Sequence, residues 1–146
     1  MSLTATARSI PGTLRQEVVI DGLHRLITDE PERLGGQGSG PAPHELLPAA
    51  VAACVGTTLL MYARTKGWEL GDVSVVVDYH NSSNPRLCEV AIELACELRA
   101  DQLRRLEKVA RTCPVRRSLE AGVEFTETIA CRNHPSHPIA APRPAA

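Results

Sequence analysis

The sequence predicts an α+β fold in which antiparallel sheets pack on one long, buried central helix. Three observations carry this expectation. Residues 46–63 form a charge-free helical run, and period-two stretches flank it on both sides. The elements also follow the order strands, helix, strands, two helices, strand, without the regular alternation of a βαβ protein. At 146 residues the chain reads as one domain over 1–130, followed by a Pro- and Ala-rich tail over 131–146.

In chain order, TLRQEVVIDGLHRLITD reads as two short strands around Asp21-Gly22, a dipeptide suited to a tight hairpin turn with positive φ. Leu14, Gln16, Val18 and Ile20 are expected on one face. The following LGGQGSGPAP has neither the spacing of a dinucleotide-binding loop nor the lysine of a phosphate-binding one. It reads as a wrap leading into the next helix, expected over 44–66.

In that helix, LLPAAVAACVGTTLLMYA runs from Leu46 to Ala63 without a charge. The run approaches the length of a membrane span, roughly 17 to 25 residues, but its Ala, Gly and Thr content and Pro48 near its start argue against a lone span. A helix apolar all round must be buried all round. One small sheet covers only one side, so a second subunit is expected on the other, giving an intertwined homodimer.

After Gly67, Val73, Val75, Val77 and Tyr79 alternate with more polar residues, and NSSNPR forms a turn. In LCEVAIELACEL, Cys88, Val90, Ile92, Leu94 and Cys96 share one face and Glu89, Glu93 and Glu97 the other. Cys88 and Cys96 are therefore expected to be inert core thiols. Asp101 is expected to cap an amphipathic helix carrying Leu103, Leu106 and Ala110, with basic residues between Arg104 and Arg111 on its solvent side.

Pro114 suits the first position of a further helix, where its missing N–H has no partner to lose. Cys113 then becomes the N-cap, its sulfur facing unpaired N–H groups and the positive end of the helix dipole, both of which favour thiolate. Arg116 and Arg117 add positive charge one turn on. The helix is expected to end near Ala121, Gly122 marks a turn, and VEFTETIA is expected to be a strand.

A net charge of −1 and a pI near 6.5 leave no electrostatic footprint for nucleic acid, and no basic run addresses a membrane surface. The start MSLTATARSIPG lacks a basic segment leading into an apolar one, so a reducing cytoplasm is the default. The five cysteines accordingly read as free thiols or redox centres. Positions 54, 88, 96, 113 and 131 contain no C-x-x-C pair. Cys131, His134 and His137 have metal-compatible spacing, but a tail of that composition cannot bury enough surface to order itself, so neither a metal nor another cofactor is expected.

Cys54, in the uncharged helix, and Cys113, at the N-cap, stand apart from the other thiols. The segments LGGQGSGPAPHELLPAAVAACVGTTLLMYARTKG and LEKVARTCPVRRSL, in that order with a strand hairpin between them, resemble the OsmC/Ohr family of thiol peroxidases, particularly its OsmC-like branch. The resemblance covers about residues 14 to 130. It implies the OsmC-like fold, two intertwined subunits with long central helices against the sheets.

It further implies that Cys54 is the peroxidatic thiolate, that Cys113 resolves its sulfenic acid as a Cys54–Cys113 disulfide, and that the protein serves oxidative stress resistance. An organic hydroperoxide is the expected substrate, with hydrogen peroxide the alternative, since Ala50, Val51, Thr57, Thr58 and Met61 around Cys54 are mostly apolar. No flavin, haem or metal is required. The reductant is an external dithiol, a lipoylated protein in the Ohr branch. Glu45 and Arg15, with Arg8 as the alternative guanidinium, are the residues implied to complete the site. The organic-hydroperoxide branch tends to place its glutamate one residue earlier, where this chain has His44. Two further readings of the same residues are thiol–disulfide exchange without peroxide and a non-catalytic dimeric protein binding a small apolar ligand.

Overall fold

A computed structural model describes residues 3–131 and 134–139. Strands β1 (Ala5–Ser9), β2 (Gln16–Ile20) and β3 (His24–Thr28) form an antiparallel meander. The β2–β3 turn uses Asp21 and Gly22 at φ 51° and 71°, the backbone that dipeptide tolerates. The sequence reading did not include β1, whose residues are exposed along its whole length and show no alternation. Pairing with β2 and the Asp21 N–H to Thr4 carbonyl bond hold it in place. Leu14 precedes β2 and is exposed, as is Ile20, so the expected single apolar face does not form. Gln16 to Val19 are instead half-buried on both faces of the central strand.

At the end of β3 the chain buries Asp29. Its Oδ1 accepts from the Glu30 N–H (2.9 Å), and its Oδ2 accepts from the N–H groups of Gln37 and Ser39 (3.1 Å each) and from the Ser39 hydroxyl (2.9 Å). These donors, led by the Ser39 N–H, hold the carboxyl below the usual carboxylate range despite burial. The Gly-rich segment is thus tied to a carboxylate. A Cβ at Gly36 would overlap the Glu30 carbonyl, so the close approach needs glycine there.

A short 3-10 turn at Pro43–Glu45 leads into α1 (Leu46–Lys66), which Gly67 ends in the left-handed conformation at φ 66°. Val51, Val55, Leu59 and Ala63, spaced four apart, form the buried stripe of α1. They pack against the hairpin of β4 (Val73–His80) and β5 (Leu87–Leu94) and against α2 (Ala100–Ala110) and α3 (Pro114–Ala121). The opposite flank, with Leu60 and Met61, stays exposed in the single chain. The helix has the length and hydropathy of a membrane span, but its buried stripe is the centre of the core.

In the β4–β5 hairpin, Val73, Val75 and Val77 lie opposite Leu94, Ile92 and Val90, as their alternation requires. Cys96 packs partly buried against the core. Cys88, however, is exposed, contrary to the core role expected of it: it pairs with Tyr79 one position from the turn that closes the hairpin. The α2 cap also differs from expectation. Arg99 is the N-cap, its N–H donating to Gln102 Oε1 (3.0 Å), while Asp101 lies in the first turn and pairs with the Arg99 side chain. Leu106, Val109 and Ala110 form the buried face of α2, and Leu103 is exposed.

After Gly122, residues 123–126 are not strand. β6 (Glu127–Cys131) pairs antiparallel with β7 (His134–Ile139), so the hairpin extends into the segment read as tail. The side chains of Cys131, His134 and His137, the metal-compatible cluster, lie outside the described residues.

Candidate active site

The site is built where the middle of α1 meets the α2–α3 joint. Cys54 falls one residue before Val55 and is half-buried beside the core stripe. The joint is short: Thr112 and Cys113 donate their N–H groups to the carbonyls of Val109 (2.9 Å) and Ala110 (3.4 Å), closing the end of α2. Pro114 then starts α3 with Cys113 as N-cap, and the Cys113 carbonyl accepts the first helical bond from Arg117 (3.0 Å). This leaves the N–H groups of Val115 and Arg116 without partners inside the helix.

Those N–H groups serve the two sulfurs. Burial pushes the Cys54 thiol up, but hydrogen bonds from the Cys113 thiol and the Val115 N–H outweigh it and bring it below an ordinary thiol. Thr58 also neighbours Cys54, although its hydroxyl proton is committed to the Cys54 carbonyl (2.7 Å). Cys113 is fully buried, and burial raises its pKa; the bond it gives to Cys54 raises it further. The Arg116 N–H faces the Cys113 sulfur closely enough to oppose this, without a full capping bond. The N-terminus of α3 therefore activates Cys54, its neighbour, rather than the N-cap thiol that the sequence alone favoured. Cys54, Cys88, Cys96 and Cys113 are all free thiols.

The Cys113 donor can be tested by substitution. Because the Cys54 pKa is lowered, its thiolate persists to lower pH than an ordinary thiolate, and removing a donor moves the reactive fraction upward. Cys113→Ala should slow iodoacetamide alkylation of Cys54 at neutral pH about fivefold, as expected for one hydrogen bond of about 1 kcal/mol. Cys113→Ser keeps a donor and should hold the midpoint nearer wild type. Equal midpoints in all three proteins would remove Cys113 from the activation of Cys54.

The other residues named from the sequence are not brought to the thiols within the chain. Glu45 is exposed, and its Oε2 accepts from the Ala42 N–H (2.9 Å), capping the 3-10 turn before α1. Arg15 lies between β1 and β2, with its Nε buried and without a hydrogen-bond partner among the described residues. Arg8 is exposed on β1 opposite Glu17. His44 packs edge-on against Tyr79, with ring centroids 5.4 Å apart. Arg116 pairs with Glu120 (2.7 Å). Beside the site a cavity of about 700 Å³ is walled by Leu47, Val51, Tyr79, Val90 and Leu119, with Arg86 and Arg116 among its polar lining. The Val115 N–H was missed in the sequence, although a proline directly after a cysteine at a helix start implies free N–H groups one and two residues on.

A long helix carrying a half-buried thiol, a second thiol beside it at the N-cap of a later helix, and flanking antiparallel sheets define a paired-thiol α+β protein. The family model described as OsmC-like protein matches residues 36–128, and the chain belongs to that family. Among proteins of curated function none is similar enough to match. Among solved structures, one from Psychrobacter arcticus, described as an osmotic stress induced and detoxification response protein, is 26% identical with a TM-score of 0.67, covering 80% of this chain and 87% of that one. An organic hydroperoxide resistance protein OsmC from Legionella pneumophila is also 26% identical, with a TM-score of 0.58 over 80% of this chain and 88% of that one. The organic hydroperoxide resistance protein OhrB of Bacillus subtilis, at 22% identity and a TM-score of 0.51 over 80% of this chain and 89% of that one, shares the fold.

Proposed function

We propose that this protein is a cytoplasmic two-cysteine thiol peroxidase that reduces organic hydroperoxides and so protects against oxidative stress. The observation that carries the reading is the pairing of Cys54 on α1 with Cys113 at the N-cap of α3, neighbours close enough that the Cys54 pKa is lowered and the Cys113 pKa raised. The Cys54 thiolate attacks the terminal oxygen of the hydroperoxide, the O–O bond breaks, and the alkoxide leaves and is protonated to the alcohol. Cys113 then attacks the sulfur of the Cys54 sulfenic acid; the S–O bond breaks, and the hydroxide leaves as water with the Cys113 proton. A raised pKa suits Cys113 to this second role, because it holds the proton that the leaving hydroxide needs.

The apolar-walled cavity reaches Val51, one turn before Cys54, and supports a substrate with an organic body. The names of the Legionella and Bacillus proteins point the same way. In this reading a second subunit covers the open flank of α1 and completes the site. Arg15, with its unpartnered buried Nε, supplies the guanidinium that stabilises the developing oxyanion. Glu45, whose Oε2 accepts from the Ala42 N–H and whose Oε1 has no hydrogen-bond partner among the described residues, orients it. An external dithiol, such as a lipoylated protein, then reduces the bridge, and no metal or cofactor takes part.

The test is to treat the reduced protein with one equivalent of cumene hydroperoxide, block the remaining thiols and map disulfides by peptide mass spectrometry. The expected product is a Cys54–Cys113 bridge, replaced in Cys113→Ser by a sulfenic acid on Cys54. Absence of oxidation at Cys54 would overturn the reading.

A further inference from the structure

Reduction of the bridge requires a partner to reach two sulfurs set where α1 meets the α2–α3 joint, and the surface of α2 and α3 is strongly polarised. The whole chain carries a net charge of −1, yet α2 with its C-cap residue Arg111 and α3 hold Arg104, Arg105, Lys108, Arg111, Arg116 and Arg117 against Asp101, Glu107 and Glu120. Arg104, Lys108 and Arg111 are spaced as i, i+4 and i+7, so they form one stripe on α2, exposed throughout. The stripe ends two residues before Cys113, and exposed Arg117 continues it on α3 beside a groove formed with Thr112, Pro114 and Ser118.

The neighbouring cations are already engaged. Arg116 pairs with Glu120, Arg99 pairs with Asp101, and Arg105 Nε donates to the Tyr62 hydroxyl (2.8 Å). Among the described residues no carboxylate forms an ion pair with Arg104, Lys108, Arg111 or Arg117. Four exposed cations of one sign, unneutralised and flanking a redox pair in a chain of nearly zero net charge, form a steering surface.

We infer that this basic surface of α2 and α3 docks an acidic patch on the protein that carries the reducing dithiol. The inference rests on the peroxidase reading, since it concerns the partner that regenerates its disulfide. Once docked, one partner thiolate attacks the Cys54 sulfur, the less buried of the two. The S–S bond breaks, and Cys113 leaves toward the N–H groups of Val115 and Arg116 and takes a proton. The second partner thiol attacks the mixed disulfide and releases Cys54. The partner dithiol is oxidised by two electrons to a disulfide, and its two protons pass to the thiols of this protein.

The experiment starts from protein oxidised with one equivalent of cumene hydroperoxide, in which the Cys54–Cys113 bridge has first been verified; failure to form it counts against the peroxidase reading alone. Its reduction is followed by stopped flow with two synthetic dithiol peptides that share a core and differ only in glutamate or lysine flanks. Each rate is normalised to the same peptide's rate with bis(2-hydroxyethyl) disulfide, which removes the effect of the flanks on thiol pKa. At about 20 mM salt the acidic peptide should be faster by roughly tenfold or more, and the two should converge near about 1 M salt. Arg104→Glu combined with Lys108→Glu, both exposed and away from the sulfurs, should abolish the preference while leaving reduction by dithiothreitol unchanged. Equal normalised rates at low salt, or a preference that survives both high salt and the double substitution, would overturn the inference.

Discussion

Cys54→Ser should consume cumene hydroperoxide at no more than about a thousandth of the wild-type rate, a loss of about 4 kcal/mol of transition-state stabilisation. Serine keeps the size of the side chain and its hydrogen-bonding capacity, so the core beside Val55 should be undisturbed. What it loses is a nucleophile ionised near neutral pH. The other thiols are poorly placed to substitute. Cys113 is fully buried and burial raises its pKa, so removing Cys54 leaves it protonated and inaccessible. Cys88 is exposed on β5 and Cys96 lies beyond the end of that strand. Cys88→Ser and Cys96→Ser should therefore retain activity. The measurement is peroxide consumption with dithiothreitol as reductant, alongside circular dichroism to show that each variant folds. Retention of more than about a tenth of the wild-type rate by Cys54→Ser would move the chemistry away from this thiol.

Sequence exposed the architecture wherever a pattern was strong, and failed where a residue's partner was backbone or lay beyond the end of a pattern. The charge-free run gave α1, alternation gave β4 and β5, and a proline after a cysteine gave the start of α3. Strand β1 escaped because ATARS has no apolar face to bury; only hydrogen bonds to β2 make it a strand. Cys88 was misread because alternation identifies a face but not how far the covering helix extends along it. Asp29 carried no signal at all, since three of its four hydrogen bonds come from backbone N–H groups, two of them eight and ten residues away. At the site, the resemblance to the OsmC/Ohr family brought Cys54 and Cys113 forward as a pair. Which thiol the helix N-terminus activates depends on where the Val115 N–H points, and that requires three dimensions.

The largest stability effect should come from Leu59→Ala. Leu59 is only 1% exposed and sits at the centre of the Val51–Ala63 stripe, where α1 packs against β4 and α2. Truncation removes buried methyl and methylene groups and leaves a cavity that rigid neighbours fill only partly, at a cost of about 2 to 5 kcal/mol. Urea unfolding should show the midpoint falling with an unchanged slope, and a loss below about 1 kcal/mol would mean that this stripe is not the packed centre of the fold. Leu60, the next residue, makes the informative comparison. It is 48% exposed in the single chain, so in a monomer Leu60→Ala should change stability by no more than about 0.5 kcal/mol. If a second subunit covers that flank of α1, the same truncation removes contacts between copies. Its cost should then exceed the surface range, and the unfolding midpoint should depend on protein concentration because folding and association are linked. The adjacent pair thus separates burial supplied by the chain itself from burial supplied by its partner.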